Sequence, residues 1–371
     1  MNMGIIAGSR LRAAVERVNL IGQDLGGRTK YISLALANNG KLYAAPGAAL
    51  KVLEIDPVNQ TTTLIGQDLG GRTKYISLAL ANNGKLYAAP FNASQVLEID
   101  PVAGTSTLIG QDLGSGGSKY QILALANNGK LYAAPRGASQ VLEIDPVAGT
   151  STLIGQDLGS GGNKYFSLEL ANNGKLYAAP GDASQVLEID PVAGTSTLIG
   201  QDLGSGGNKY ISLELANNGK LYAAPFNASK VLEIDPVNQT TTLIGQDLGS
   251  GSYKYQSLAL ANNGILYAAP RSLSKVLEID PVNQTTTFIG QDLGSGSNKY
   301  ASLALANNGK LYAAPRDTSK VLEIDPVNQT TTFIGQDLGS GGNKYTSLAL
   351  ANNGKLYAAL RDASQVLEIA P

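Results

Sequence analysis

The feature that most constrains this chain is a short hairpin sequence that recurs along most of its length. The copy from Ser77 to Pro90 reads Ser-Leu-Ala-Leu-Ala-Asn-Asn-Gly-Lys-Leu-Tyr-Ala-Ala-Pro. Two short runs of small and apolar residues flank an Asn-Gly pair, which predicts a tight hairpin turn with positive φ at both central residues. The turn glycine occurs eight times, as Gly40, Gly84, Gly129, Gly174, Gly219, Gly264, Gly309 and Gly354.

Each hairpin belongs to a unit of 44 or 45 residues that repeats from Val18 onward. Glycine and proline mark most boundaries within the unit, and no helical period is sustained. Four antiparallel strands in a unit of this length are typical of one β-propeller blade, so the repeats predict an all-β, eight-bladed propeller. In the third copy the predicted strands are A (Tyr120 to Ala126), B (Lys130 to Ala134), C (Gln140 to Asp145) and D (Thr150 to Leu158).

The two ends of the chain predict how the ring closes. The repeat begins with a D-type strand at Val18 and ends with a C-type strand from Gln365 to Ile369, so the last blade lacks its own strand D. We expect the N-terminal strand to complete that blade. This predicts one propeller domain over residues 18–371, with residues 1–17 as a leader outside the repeat.

The repeated segments also resemble known propellers. Asn-Gly-Lys-Leu-Tyr followed by Val-Leu-Glu-Ile-Asp-Pro resembles the blades of NHL-type and YVTN-type propellers. The near-identity of the blades is similar to the symmetric eight-bladed propeller of a sea anemone and to designed symmetric propellers. The resemblance covers Val18 to Pro371 and implies the fold. It implies no single activity, because one propeller architecture carries many functions.

Composition narrows the expected chemistry. The chain has a formal net charge of −1 and contains no His, Cys or Trp. It therefore lacks disulfides, thiol nucleophiles and imidazole bases or ligands, and it shows no basic excess for nucleic acid. We expect no catalytic residue, no metal site, no cofactor and no nucleic-acid partner. Without a secretory or membrane-spanning pattern, we also expect no membrane association, a cytoplasmic location by default and a monomer.

Differences between the copies predict a binding face. The A–B and C–D turns are nearly constant, whereas the B–C loops, the D–A loops and the residue after Lys-Tyr vary. In a four-stranded meander these two sets lie on opposite faces, and loops on a rigid scaffold are where binding usually occurs. The alternative is that the loops vary because nothing depends on them. The candidate ligand contacts are Phe91, Arg136, Phe226, Arg271, Arg316 and Arg361.

A lysine precedes strand A in every copy and predicts a second candidate site. Eightfold repetition would concentrate positive potential at the channel mouth and attract an anion. Alternatively, the ammonium groups are solvated or pair with the aspartate of Gly-Gln-Asp-Leu, such as Asp24 or Asp68, which could instead accept backbone N–H groups in a turn. The lysines are Lys30, Lys74, Lys119, Lys164, Lys209, Lys254, Lys299 and Lys344.

Acidic residues give no strong catalytic signal. Glu143 and Asp145 lie two apart on strand C and would share one face, but the pair recurs in nearly every blade, which favours a structural role. Glu169 and Glu214 replace an alanine of strand A, and the sequence offers no explanation for them.

The function predicted from these observations is a non-catalytic binding or scaffold propeller for an unknown protein, small-molecule or glycan ligand. Three alternatives remain open. One is a sugar-binding propeller, and another is a designed or symmetric scaffold with no ligand. The third is a hydrolase or lyase, which is disfavoured because no blade contains His, Cys or an isolated acidic cluster.

Overall fold

The computed structural model describes residues 17–27, 29–294 and 296–371. Within these ranges the strands form eight four-stranded antiparallel sheets, each one blade. The innermost strand of each blade contacts those of the two neighbouring blades, so the eight inner strands surround a central axis. The prediction of an eight-bladed β-propeller is confirmed. Among the described residues there is no helix with the length and apolar character needed to cross a bilayer.

The strands of the first half follow in chain order. The N-terminal strand is β1 (Val18–Ile21). Blade 1 contains β2 (Ala35–Leu36), β3 (Leu42–Ala44), β4 (Val52–Asp56) and β5 (Thr61–Ile65), and blade 2 contains β6 (Ala79–Leu80), β7 (Leu86–Ala88), β8 (Val96–Asp100) and β9 (Thr105–Ile109). Blade 3 contains β10 (Ala124–Leu125), β11 (Leu131–Ala133), β12 (Val141–Asp145) and β13 (Thr150–Ile154), and blade 4 contains β14 (Glu169–Leu170), β15 (Leu176–Ala178), β16 (Val186–Asp190) and β17 (Thr195–Ile199).

The second half repeats this order. Blade 5 contains β18 (Glu214–Leu215), β19 (Leu221–Ala223), β20 (Val231–Asp235) and β21 (Thr240–Ile244), and blade 6 contains β22 (Ala259–Leu260), β23 (Leu266–Ala268), β24 (Val276–Asp280) and β25 (Thr285–Ile289). Blade 7 contains β26 (Ala304–Leu305), β27 (Leu311–Ala313), β28 (Val321–Asp325) and β29 (Thr330–Ile334). Blade 8 contains β30 (Tyr345–Leu350), β31 (Leu356–Leu360) and β32 (Val366–Ile369), with β1 as its outer strand.

The predicted ring closure is confirmed. Strand β1 pairs antiparallel with β32 in the register Val18↔Ile369 to Ile21↔Val366. The Ala370 N–H donates to the Arg17 carbonyl at 2.8 Å, and the Arg17 guanidinium forms an ion pair with Glu323 of blade 7. The two ends of the chain are thus joined within one sheet and also bonded to the preceding blade. The rest of the predicted leader, residues 1–16, lies outside the described residues.

The inner strands of blades 1 to 7 are shorter than predicted, whereas that of blade 8 starts at Tyr345 as predicted. Tyr120 forms only an isolated bridge with Pro135, and regular pairing resumes at Ala124↔Tyr132. Between these two pairs the inner strand advances four residues, whereas its partner strand advances three. One residue of the inner strand is therefore left out of the ladder. In addition, Pro135 has no N–H to donate. The predicted strand from Tyr120 to Ala126 was too long. Strand D also ends early, because Gly155 adopts φ +74° directly after Ile154.

The hairpin turn also differs from the predicted two-residue type. The Gly40 N–H donates to the Ala37 carbonyl at 3.0 Å, so Asn38 and Asn39 are the central residues of the turn. Of these three residues only Gly40 has positive φ, at +79°. This is the longer hairpin loop in which an ordinary turn is followed by a left-handed glycine. The prediction that both central residues need positive φ was wrong, although the hairpin itself is present.

Hydrophobic burial occurs mainly between blades. On blade 3, Leu131, Ala133, Leu142 and Ile144 pack towards blade 2. Tyr132, Ala134 and Val141 pack towards blade 4. This division follows the alternation of side chains along each strand. Since Leu131, Tyr132 and Leu142 are all 0% exposed, each sheet is apolar on both surfaces and is stable only between two neighbours. The repetition of one sequence unit therefore repeats one packing interface around the ring.

Candidate functional site at the loop face

The eight lysines bond to the loops that precede them. In each blade Nζ donates to a glycine carbonyl of the D–A loop, as from Lys30 to Gly27 at 2.8 Å and from Lys164 to Gly159 at 2.7 Å. Burial lowers the pKa of every one of these ammonium groups. In the same loops Asp24 Oδ1 accepts the Gly26 N–H at 2.8 Å, as the turn interpretation predicts. This placement favours a structural role over the predicted anion site.

The mouth of the channel has other residues around it. A cavity of about 270 Å³ is lined by residues of all eight blades, which lie just before the inner strands of blades 1 to 7 and within β30 of blade 8, and none of the eight lysines lines it. Its walls combine apolar side chains, such as Ile32, Ile76 and Ile211, with Gln121, Gln256 and a series of serines. The residue after Lys-Tyr, which varies from copy to copy, therefore determines the chemistry of the mouth.

Arg136 lies among neutral partners beside this mouth. Its Cζ is 5.1 Å from the centre of the Phe91 ring and 4.5 Å from that of Phe166. Its Nε donates to Asn163 Oδ1 at 2.9 Å and its Nη1 to Gln121 Oε1 at 2.8 Å. Two aromatic faces and two amide oxygens thus hold the guanidinium in place. The structure brings together the predicted contacts Phe91 and Arg136.

Arg271 has the same surroundings three blades further round the ring. Its Cζ is 4.9 Å from the centre of the Phe226 ring and 5.0 Å from that of Tyr253. Nε donates to Asn298 Oδ1 and Nη1 to Gln256 Oε1, both at 2.8 Å. The predicted contacts Phe226 and Arg271 are therefore adjacent. The Gln and Asn partners were missed, although a Gln at the mouth of the same copy and an Asn before the next Lys-Tyr were visible in the sequence.

Arg316 adds a second guanidinium beside Arg271. Its side chain is buried, with 8% of the residue exposed, and its Nε donates to Asn343 Oδ1 at 2.7 Å. Its Nη1 donates at 3.2 Å to Gln256 Oε1, the same oxygen that accepts from Arg271. One amide oxygen therefore holds two positively charged groups from consecutive blades close together.

Arg361 lacks the partner that the other arginines have. In the described residues its Nε is buried and has no hydrogen-bond acceptor. The other three arginines each bond to an Asn that stands before the Lys-Tyr of the next blade, whereas blade 1 has Thr29 at that position. Thr29 is also one of the non-glycine residues with positive φ, at +52°. A single residue difference thus leaves one buried donor unsatisfied.

The arginines of blades 6, 7 and 8 form a positively charged cluster, which we call the Arg271–Arg316–Arg361 cluster. Burial lowers the pKa of Arg271 to about 10, and the charges of Arg316 and Arg361 contribute to the shift. Burial and the charge of Arg361 lower the pKa of Arg316 as well. Nearby Asp317 and Asp362 are occupied by the backbone N–H groups of Asn343 and Thr29. Among the described residues, no carboxylate forms an ion pair with the cluster.

Glu169 and Glu214 lie deeper, on the inner strands of blades 4 and 5. Burial raises the pKa of each carboxyl to about 7, and the charge of Glu169 contributes to the shift of Glu214. In the described part of the chain, no group of three or more His, Cys, Asp or Glu side chains is arranged to hold a metal ion. Comparison between the repeats identified both glutamates as exceptions but predicted no role for them.

Comparison with known proteins identifies the fold alone. No family model matches the sequence, and no curated protein matches it. Among solved structures, the Dos1 propeller has a TM-score of 0.67 at 14% identity, over 95% of this chain and 96% of that one. Virginiamycin B lyase from Staphylococcus aureus has a TM-score of 0.60 at 10% identity, over 95% and 98%. Hydrazine synthase from Kuenenia stuttgartiensis has a TM-score of 0.55 at 13% identity, over 99% of each chain.

These structures confirm the resemblance to propellers with repeated blades. These proteins differ in the activities for which they are named, and identities of 10–14% define an architecture and no function. Any statement about what this chain binds must therefore be argued from its own residues.

Proposed function

We propose that this chain is a binding module that recognises an oxyanion at the Arg271–Arg316–Arg361 cluster on the loop face. The observation that carries the proposal is the Nε of Arg361, which is buried and has no acceptor among the described residues. The neighbouring guanidiniums of Arg271 and Arg316 are near Asp317, but within the described part of the chain neither forms an ion pair with a carboxylate. Leaving a buried donor unsatisfied costs about 1–3 kcal/mol, and more for a charged group. An oxyanion would supply the missing acceptor and offset the mutual repulsion of the three charges.

The chemistry of the cluster favours carboxylate, phosphate or sulfate groups over neutral ligands. Guanidinium groups present planar pairs of donors that match two oxygens of such an anion. The aromatic rings of Phe226 and Tyr253 hold Arg271 in position, which reduces the conformational entropy lost on binding. A small acidic molecule or an acidic glycan therefore suits the site, and the chain would act as a monomer.

The lyase alternative receives less support from the residues. One virginiamycin B lyase structure contains a variant, with a histidine replaced by alanine, that is described as catalytically inactive. The present chain has no histidine at any position. We therefore base the proposal on binding, with no catalytic step.

The test is a calorimetric titration with inorganic phosphate and with sulfate. The double variant Arg316→Gln, Arg361→Gln keeps polar side chains but removes two charges, and we expect it to weaken binding at least about tenfold. Arg136→Gln is the matched control, because Arg136 bonds to an Asn and a Gln as Arg271 does but lies on blade 3. We expect that variant to bind as wild type does. Equal losses in both variants, or no binding by wild type, would refute the proposal.

A further inference from the structure

The channel contains a second arrangement of charge, opposite in sign to the arginine cluster. Glu169 and Glu214 occupy equivalent positions on the adjacent inner strands β14 and β18. Five of the other six blades have a partly buried alanine at this position. The exception is Ala259, which follows Glu214 around the ring and is 7% exposed. Glu169 and Glu214 are thus the two departures from alanine at this position of the repeat.

The carboxylates have no cationic partner among the described residues. No ion pair includes Glu169 or Glu214, and the only other charge that shifts either pKa is that of the neighbouring glutamate. On strand C, by contrast, Glu188 and Glu233 each pair with a lysine at 2.7–2.8 Å. Two adjacent carboxylates without a counterion, in a partly buried position, would be stabilised by a bound cation.

An independent observation comes from the serines of the channel wall. Ser167 is 4% exposed, lines the 270 Å³ cavity, and its hydroxyl has no partner within the described residues. Ser212 also lines the cavity with an unpartnered hydroxyl, and each of these serines stands two residues before one of the glutamates. In the described part of the chain, unpartnered hydroxyls also occur at the equivalent serines of four other blades, Ser33, Ser257, Ser302 and Ser347. Since buried hydroxyls without partners are uncommon, this series as a whole points to a missing donor or acceptor in the cavity, and blades 4 and 5 add carboxylates to it.

We infer that the channel binds an alkylammonium group, with its nitrogen between Glu169 and Glu214 and its alkyl chain in the cavity above. An ammonium has three N–H donors, which two carboxylates and a serine oxygen can accept. The cavity walls include Leu168 and Leu213, which directly precede the glutamates, and Ile211, so they suit methylene groups. This site is negatively charged and lies on the inner strands of blades 4 and 5, whereas the oxyanion site is positively charged and lies on the loop face of blades 6 to 8. Each site can exist without the other.

The experiment is a calorimetric titration of the full chain with n-butylamine hydrochloride, beside n-butanol as the neutral analogue. The test variant is Glu169→Ala, Glu214→Ala, which introduces the residue that six other blades carry at this position. A second variant, Ser167→Ile, copies the residue that blade 3 carries as Ile122. Both changes use residues that the repeat already accommodates, so both proteins are expected to fold.

We expect wild type to bind n-butylammonium and the glutamate variant to lose at least about tenfold in affinity. Ser167→Ile should lose a smaller factor, and n-butanol should bind more weakly than the amine. The variant Arg316→Gln, Arg361→Gln should keep its amine binding. The inference is overturned if wild type does not bind the amine, if the glutamate variant binds it equally well, or if n-butanol binds as tightly.

Discussion

The two faces of the ring handle charge in opposite ways. On the turn face, Lys175 Nζ donates to Glu188 Oε1 at 2.7 Å and Tyr177 donates to Glu188 Oε2 at 2.8 Å, an arrangement that recurs in most blades. On the loop face, three arginines meet with amides and aromatic rings as their partners. The turn face satisfies its charges internally and stabilises the blade. The loop face leaves donors unsatisfied, and this difference distinguishes a structural cluster from a candidate site.

In blade 6 the turn-face cluster lacks its lysine. Ile265 replaces the lysine of the hairpin, and Glu278 then accepts from Tyr267 at 3.0 Å and Thr287 at 3.0 Å. The tyrosine bond is common to the other blades, so Thr287 is the neutral donor that takes the place of the ammonium. This blade serves as a natural control for variants of the others.

The largest expected effect is the loss of a turn-face carboxylate. Glu188→Ala leaves the Tyr177 hydroxyl and the Lys175 ammonium without their acceptor at a site that is 3% exposed. We expect a loss of about 3 kcal/mol in the free energy of unfolding, measured by urea denaturation. Glu278→Ala, in the blade without the lysine, should cost clearly less. Equal losses would show that the ammonium contributes nothing to the cluster.

The second prediction is a gain in the free energy of unfolding, because the variant removes two carboxylate charges that the fold does not neutralise. The folded-state pKa of Glu169 and of Glu214 is raised from 4.5 to about 7, so ionisation destabilises the fold increasingly between these pH values and fully above about 7. In a chelating buffer without amines, the double variant Glu169→Ala, Glu214→Ala should stabilise the protein at pH 8 by at least roughly 2 kcal/mol, because a pKa raised from 4.5 to about 7 corresponds to about 3 kcal/mol for one carboxyl. The gain should vanish at pH 4. A gain that is independent of pH would contradict the assignment to ionisation.

A smaller effect tests the difference between Thr29 and its asparagine counterparts. Thr29→Asn would give Arg361 an acceptor and place an Asn at φ +52°, a conformation that Asn tolerates better than a β-branched residue. We expect a gain of about 1 kcal/mol in unfolding free energy together with weaker oxyanion binding. Thermal unfolding and the phosphate titration measure the two consequences. Tighter binding in this variant would contradict the role given to the free Nε.

The smallest effect concerns the partly exposed turn-face lysines. Lys175→Ile gives blade 4 the residue that blade 6 has at this position, Ile265. The Lys175 side chain is 29% exposed. Ion pairs of this exposure contribute about 0.5 kcal/mol, so the denaturation midpoint should shift slightly. A loss comparable to that of Glu188→Ala would indicate a stronger ion pair than this account assumes.

The fold was predictable because repetition multiplies a weak local signal. One hairpin and two further strand-length runs are ambiguous alone, but eight copies and the complementary ends define the ring and its closure. The wrong predictions concerned local geometry. Regular pairing of the inner strand is interrupted after the isolated bridge between Tyr120 and Pro135, and the hairpin turn has positive φ only at Gly40. Turn type and ladder irregularities depend on the opposing strand, which the sequence pattern of one strand does not show.

The candidate site was predictable only in part. Comparison between copies located Arg271, Arg316 and Arg361 on one face, but the unpartnered state of Arg361 depends on Thr29, which lies more than three hundred residues away in the sequence. Sequence alone also gave the eight lysines more prominence than their placement supports, because charge periodicity does not show which way a side chain points. Lys30 instead bonds to the loop three residues before it.

The Arg271–Arg316–Arg361 cluster on the loop face is the oxyanion site that we propose for this chain. The most direct test is a crystal structure determined after soaking with selenate, whose selenium is located by anomalous scattering. We expect a selenate within hydrogen-bond distance of Arg361 Nε that also contacts Arg316 or Arg271. Selenate bound elsewhere with the cluster empty would contradict it.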